Sequence, residues 1–414
     1  MSGLPKEVVS GFDFDQVRQD FPILNQEVNG HPLVYLDNAA TTQKPNAVID
    51  AISNYYRSYN ANVHRAAHAL SDRATQEFES ARKKVAGFLG AGPAENLIWT
   101  SGTTDSINLV AASWGRANLR EGDRILVSAL EHHSNIVPWQ MIAEQTGAEV
   151  LPIEVTGSGE IDLDALDSQL DERVKMISVG HVSNALGTVN PVEDIIRKAK
   201  SVGAKTLIDG AQALAHMELN LEELGCDFYA FSAHKVYGPT GIGGLWGKAE
   251  LLEAMSPYRG GGEMIERVSF EGTTYNQLPY KFEAGTPNIA GAIGFGAAID
   301  YLTSLDRAAL AAHENSVLAY AFDKGKEFNG LQRYGKASQV TGVFSFLLDS
   351  VHPSDVGMLL DQQGIAVRTG HHCAQPLMEK YRIPGTVRAS FALYNSKEDV
   401  DRLFAGLEKV RQFL

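Results

Sequence analysis

The chain has 414 residues, long enough for a layered enzyme core with a second unit beside it. Its 44% hydrophobic and 21% charged residues are ordinary for a globular protein, and no apolar run approaches the roughly 20 residues that span a bilayer. A net charge of −14 speaks against nucleic acid or membrane as a partner, and two cysteines exclude a disulfide framework. Met1 to Asp20 lacks the apolar core of a secretory signal, so a reducing, cytoplasmic setting is expected.

Short β-rich runs alternate with helical patterns through most of the chain. Candidate strands are Leu33 to Leu36, Leu97 to Thr100, Arg124 to Ser128, Met176 to Val179, Thr206 to Asp209, Phe228 to Ser232 and Gly244 to Trp246. In Ser71 to Leu89, the residues Ala74, Phe78, Ala81, Val85 and Phe88 fall at 4-3-4-3 spacing, which predicts one buried helix face with Ser71 or Asp72 as cap. A further helix is expected through Asn108 to Trp114. The alternation predicts an α/β fold with a mostly parallel, doubly wound sheet and helices on both faces. After about Ile289 the texture changes. Gly291 to Leu305 reads as a long helix, Val343 to Leu348 as a strand and His352 to Gln363 as a helix. From about Ser396, Val400, Leu403, Leu407 and Val410 mark an amphipathic helix, so a second, smaller α+β unit closes the chain.

Four clusters carry the chemistry. Ser232-Ala-His-Lys235 follows an apolar strand, and a desolvated lysine there has a lowered pKa and can form a Schiff base. A lysine that snorkels to solvent is the plainer reading. Asp209 ends the preceding apolar strand, where it could merely cap a helix. Two parallel strands ending at one edge, one in Asp and the next in His-Lys, point instead to pyridoxal phosphate. That cofactor needs a carboxylate to keep its pyridine nitrogen protonated. Ser101-Gly-Thr-Thr104 is a strand-to-helix turn able to cradle a phosphate, with Ser232 and His234 as further donors. Glu131-His-His133 follows another strand, and an imidazole stacked on the cofactor, assigned to His132, would hold its plane and shuttle protons near neutral pH.

With these in place, Tyr35-Leu-Asp-Asn-Ala-Ala-Thr-Thr42, Glu131-His-His-Ser-Asn-Ile-Val-Pro-Trp139, His181-Val-Ser-Asn-Ala-Leu-Gly187, Asp209-Gly-Ala-Gln212, Ser232-Ala-His-Lys-Val-Tyr-Gly-Pro-Thr-Gly241 and Arg368-Thr-Gly-His-His-Cys-Ala374 resemble the class V aminotransferase-type enzymes. Within that class they look most like SufS-type (group II) cysteine desulfurases. The resemblance implies a fold-type I pyridoxal-phosphate enzyme that converts L-cysteine to alanine and supplies sulfur for iron–sulfur cluster assembly. It implies an N-terminal segment over 1–30 packing with a small domain, a large cofactor-binding domain over 31–295, and a small domain over 296–414 carrying Cys373. It also implies that Lys235 holds the cofactor, Asp209 meets the pyridine nitrogen, Gln212 bonds the phenolic oxygen and His132 stacks on the ring. Thr103, Thr104, Ser232 and His234 would hold the phosphate, with Thr286 reaching it from the other subunit of a homodimer. Asn184 and Arg388 would bind the substrate carboxylate, while Asp37 to Ala40, His64 and Arg368 would lie near the substrate.

Cys373 follows the strand-like Ile365 to Val367 and a bend at Gly370. Only a few per cent of an ordinary thiol is thiolate at pH 7, and Arg368 with a protonated His371 or His372 would raise that share. Such a thiolate could take the substrate's sulfur as a persulfide. A metal site from His371, His372 and Cys373 is disfavoured, because contiguous residues rarely close a tetrahedron. An inert buried thiol suits Cys226 better. Two other classes compete: a selenocysteine or related C–S/C–Se lyase on the same scaffold, and a non-catalytic relative. The full set of Lys235, Asp209, His132 and Cys373 argues against the latter. Pro376 close behind Cys373 keeps the motif compact, which suggests low activity alone and a sulfur-accepting partner of the SufE or SufU kind.

Overall fold

In the computed structural model, residues 13–65, 67–349 and 351–412 are described. Seven strands form the central sheet: β1 Leu97–Thr100, β2 Arg124–Ser128, β3 Glu149–Ile153, β4 Val174–Gly180, β5 Lys205–Asp209, β6 Phe228–Ser232 and β7 Gly243–Gly247. They lie in the order β1-β7-β6-β5-β4-β2-β3, and β7 alone runs against its neighbours. Because both faces are covered, β1, β6 and β7 are buried at every position. The α/β, mostly parallel sheet predicted by the strand–helix alternation is therefore present. β3 was not expected, since only one of its five residues is buried and its apolar pattern is weak.

Helix Ala69–Phe88 buries the predicted Ala74, Phe78, Ala81 and Val85, but its cap is His68, whose Nδ1 accepts from the Ser71 N–H at 3.2 Å. Ser71 is instead buried and donates to Asn62 O at 2.7 Å. Helix Ile289–Thr303 packs across Ala69–Phe88, and a Cβ on Gly296 would come within 2.9 Å of Ala81 Cβ, so the close approach requires glycine. The helix expected through Asn108 to Trp114 runs Thr103–Val110 and then widens to a π turn over Ala111–Gly115.

A second sheet follows: β8 Leu331–Tyr334, β9 Val343–Leu348, β10 Arg368–Gly370 and β11 Thr386–Ser390, ordered β8-β9-β11-β10 and antiparallel. Helices Arg307–Glu327, Pro353–Asp361 and Lys397–Gln412 pack with it, giving the expected smaller α+β unit. β11 was not foreseen because Arg388 sits mid-strand, yet every residue of that strand is buried. The run Leu33 to Leu36 supplies strand Val34–Tyr35, which pairs in parallel with Ile365–Ala366, and Val34 and Leu36 join the apolar core of the second unit. Of the N-terminal segment, residues 1–12 lie outside the described residues. Arg18 beyond them donates to Tyr394 O at 2.7 Å and pairs with Asp399 at 3.3 Å.

Candidate active site

β1, β2, β4, β5 and β6 all point their carboxyl ends at one edge of the sheet, where ligands of open α/β sheets bind. A cavity of about 280 Å³ opens there. It is lined by expected residues from each strand end: Thr103 and Thr104 after β1, His132 after β2, Asn184 after β4, Asp209 and Gln212 at β5, Ser232, His234 and Lys235 at β6. Ala40, Arg368, Cys373 and Arg388 close it from the second unit's side. The segments bearing these side chains are up to several hundred residues apart in sequence, and only the shared edge unites them.

Asp209 is 8% exposed. Its Oδ1 accepts from the Ala211 N–H at 2.9 Å, and among the described residues no cation pairs with it. Burial pushes its pKa up and outweighs the opposing Ala211 hydrogen bond and Lys235 charge. Lys235 forms no ion pair among the described residues, and burial, chiefly, holds its amine down at about 8. The Thr103 N–H donates to Ser232 Oγ at 2.8 Å across the start of helix Thr103–Val110. Gly102 precedes it with φ 143°, and a Cβ there would stand 3.1 Å from Ser232 Oγ, so glycine keeps this cradle open. An acid awaiting a cation, a lowered amine and a cradle at a helix start match the ring nitrogen, aldehyde and phosphate of pyridoxal phosphate. The residues present fit the group.

His132 Nδ1 accepts from the Ser134 N–H at 3.1 Å, which places the ring proton on Nε2. Burial and the nearby Lys235 charge lower its pKa to about 4. It stays neutral at pH 7, so a shuttling imidazolium near neutrality is replaced by a flat, uncharged ring. Gln212 Nε2 donates to Ala39 O at 2.7 Å, fixing the amide at the cavity wall.

Arg388 is 2% exposed, donates to Asn184 O at 2.8 Å and meets Asp37 at 3.2 Å. Its Nε has no partner among the described residues, a donor suited to an incoming carboxylate. Arg368 is spent mainly on the same Asp37 at 3.0 Å. His372 corrects one expectation. It is buried, bonds Thr386 Oγ1 at 2.8 Å, and burial drops its pKa to about 3, so it brings no positive charge to Cys373. Both His372 and Cys373 adopt left-handed φ values of 54° and 55°, costing on the order of 1 kcal/mol each. Cys373 is exposed on the cavity side, whereas Cys226 is buried. Among the described residues no cluster suits a metal ion.

His64 and Thr286 lie outside this lining. His64 Nε2 meets Glu79 at 2.9 Å and its ring packs on Tyr280 at 4.9 Å, while Thr286 is exposed a few residues further along the chain. Glu131 was missed. It is 3% exposed in the cavity floor, holding Ser128, Asn135 (2.6 Å) and the Gly180 N–H (3.0 Å), with its pKa raised by burial to about 7. Its place in the quoted Glu131-His-His133 run was the available signal.

Residues 34–403 match the family model described as aminotransferase class-V. The chain belongs to that family. Class-V relatives resemble it through nearly their full length. A probable cysteine desulfurase of Vibrio cholerae is 52% identical, covering 97% of this chain and 99% of its own. A cysteine desulfurase of Klebsiella pneumoniae is also 52% identical over 97% and 99%. Two solved structures superpose closely. The cysteine desulfurase CsdA of Escherichia coli, an S-sulfonic acid form, has TM-score 0.91 and 42% identity over 97% of this chain and 99% of that one. An apo cysteine desulfurase of Thermococcus onnurineus has TM-score 0.92 and 39% identity over the whole of both chains. Among the described residues no helix is long and apolar enough to cross a membrane.

Proposed function

We propose that the chain is a pyridoxal-phosphate-dependent cysteine desulfurase that moves sulfur from L-cysteine to Cys373. The observation that carries this reading is one cavity lined by Lys235, Asp209 and an exposed thiol. Asp209, Lys235, His132, Gln212 and the Thr103/Thr104/Ser232/His234 cradle hold the cofactor. Bound there, pyridoxal phosphate supplies an aldehyde to join the amine and a protonated ring that accepts electron density. Arg388 and Asn184 orient the substrate carboxylate, Ala40 and Arg368 border the substrate, and His64 would border the substrate in the other subunit's site. Lys235 takes the proton from the substrate α-carbon and returns one as alanine forms. The Cys373 thiolate attacks the substrate sulfur. An S–S bond forms, the C–S bond breaks with its electron pair left on carbon, and that carbon takes a proton. Cysteine and thiol thus become alanine and persulfide with no added oxidant.

The reading assigns 31–295 to the cofactor unit, 296–414 to the unit bearing Cys373, and 1–30 to a segment packed on the latter. A SufS-type role in the cytoplasm follows, with a SufE- or SufU-like acceptor drawing sulfur toward iron–sulfur clusters. We take the active form to be a homodimer. Thr286 and the Tyr280-packed His64 both lie outside the lining of their own cavity, as residues completing a partner's site would.

The test is incubation with cysteine. Alanine and a mass increment of one sulfur on Cys373, removed by reductant, are expected; absence of both would sink the proposal. Asp209→Asn should keep the cofactor attached while alanine release falls roughly 10²–10⁴-fold, the scale of losing a proton-controlling group. Near-normal turnover in that variant would reduce Asp209 to a structural cap.

A further inference from the structure

Left-handed backbone at two successive non-glycine residues is not a local preference, so contacts from elsewhere impose it on His372 and Cys373. Besides the bond from the His372 ring to Thr386, three such contacts stand out among the described residues. Asn184 Nδ2 donates to His372 O at 2.6 Å. The His133 N–H donates to Cys373 O at 2.7 Å. The Gln375 N–H donates to His133 Nε2 at 3.1 Å. This last bond has a second consequence. Gln375 opens helix Gln375–Tyr381, and the residue before it, Ala374, has no side chain able to cap it. The His133 ring takes the place of that cap and satisfies an otherwise orphan amide.

His133 therefore grips the loop at two points, the Cys373 carbonyl through its own backbone and the Gln375 N–H two residues on through its own ring. It directly follows His132, which lines the cavity. We propose that His133 is a positioning residue, a two-point clamp that holds the Cys373 loop in register with the cofactor-facing His132. The proposal rests on the desulfurase reading above and deepens it: sulfur capture requires the thiol held at a set place, and His133 sets it. Because Nε2 accepts a hydrogen bond, the ring works as a neutral imidazole with its proton on Nδ1.

The experiment compares His133→Ala and His133→Gln in the cofactor-loaded protein. Glutamine places an acceptor oxygen near the position of Nε2, and alanine removes it. In His133→Ala, amide hydrogen exchange at Ala374 and Gln375 should quicken and iodoacetamide should alkylate Cys373 at a changed rate. Alanine release should fall about ten- to hundredfold in kcat, the cost of a displaced reacting group, with KM and the cofactor absorption band unchanged. His133→Gln should recover most of both readouts. Exchange and alkylation rates equal to wild type in His133→Ala would overturn the clamp. So would a His133→Gln protein as impaired as His133→Ala. Exchange and alkylation need no turnover, so a wild-type protein that releases no alanine would count against the desulfurase reading alone.

Discussion

Lys235→Ala is expected to lose the visible absorption band of the lysine-bound cofactor entirely. Among the described residues lining the cavity, Lys235 is the only lysine, so no other amine lies where the aldehyde would be held. Turnover should fall beyond the roughly 10²–10⁴-fold of losing a proton-transfer group, because covalent attachment is lost with it. Phosphate contacts through Thr103, Thr104 and Ser232 survive, so the cofactor should still bind without the band. The wild-type amine adds a pH signature. Burial lowers the Lys235 pKa to about 8, against about 10.4 for a solvated lysine. The neutral, nucleophilic amine is therefore half populated near pH 8 instead of near pH 10. Covalent capture of added pyridoxal phosphate by cofactor-free protein should rise with pH and level off above about 8. An unchanged spectrum in Lys235→Ala, or capture still rising steeply past pH 9, would remove this assignment.

Cys373→Ser should abolish alanine release from cysteine while leaving the absorption band intact. The substitution leaves Lys235, Asp209 and the cradle at Thr103 and Ser232 untouched, and the loop is held through the His372 and Cys373 carbonyls, which serine keeps. Cysteine should still bind and perturb the spectrum, but nothing remains to take its sulfur, and no increment of one sulfur should appear by mass spectrometry. Selenocysteine, whose selenium leaves more readily, separates the competing activity: continued turnover of selenocysteine with none of cysteine fits the desulfurase scheme. Alanine released from cysteine at the wild-type rate by Cys373→Ser would instead make the protein a C–S lyase that needs no thiol.

How far the chain could be read before its fold was known differs by kind of information. Asp209 at one strand end and Lys235 just beyond the next were legible because a polar residue closing a largely apolar run is a local pattern, and parallel strands bring their carboxyl ends to one edge. Arg388 was legible only through the family resemblance, since no quoted motif contains it. Its strand position was hidden because a charge amid short apolar residues gives no period-2 signal, and burial of that guanidinium depends on Asp37 and Asn184.

The amino-acid order by itself determined the doubly wound sheet, the lysine and aspartate at neighbouring strand ends, and the compact turn that carries Cys373. These follow from short-range patterning, which a linear chain displays directly. Only the tertiary structure decided the charge state of each group in the cavity. His372 and His132 are neutral, Glu131 titrates near 7, and Arg368 is taken up by Asp37. A pKa is set by the dielectric and the charges within a few ångströms, and those neighbours come from residues scattered between Asp37 and Arg388 in the chain.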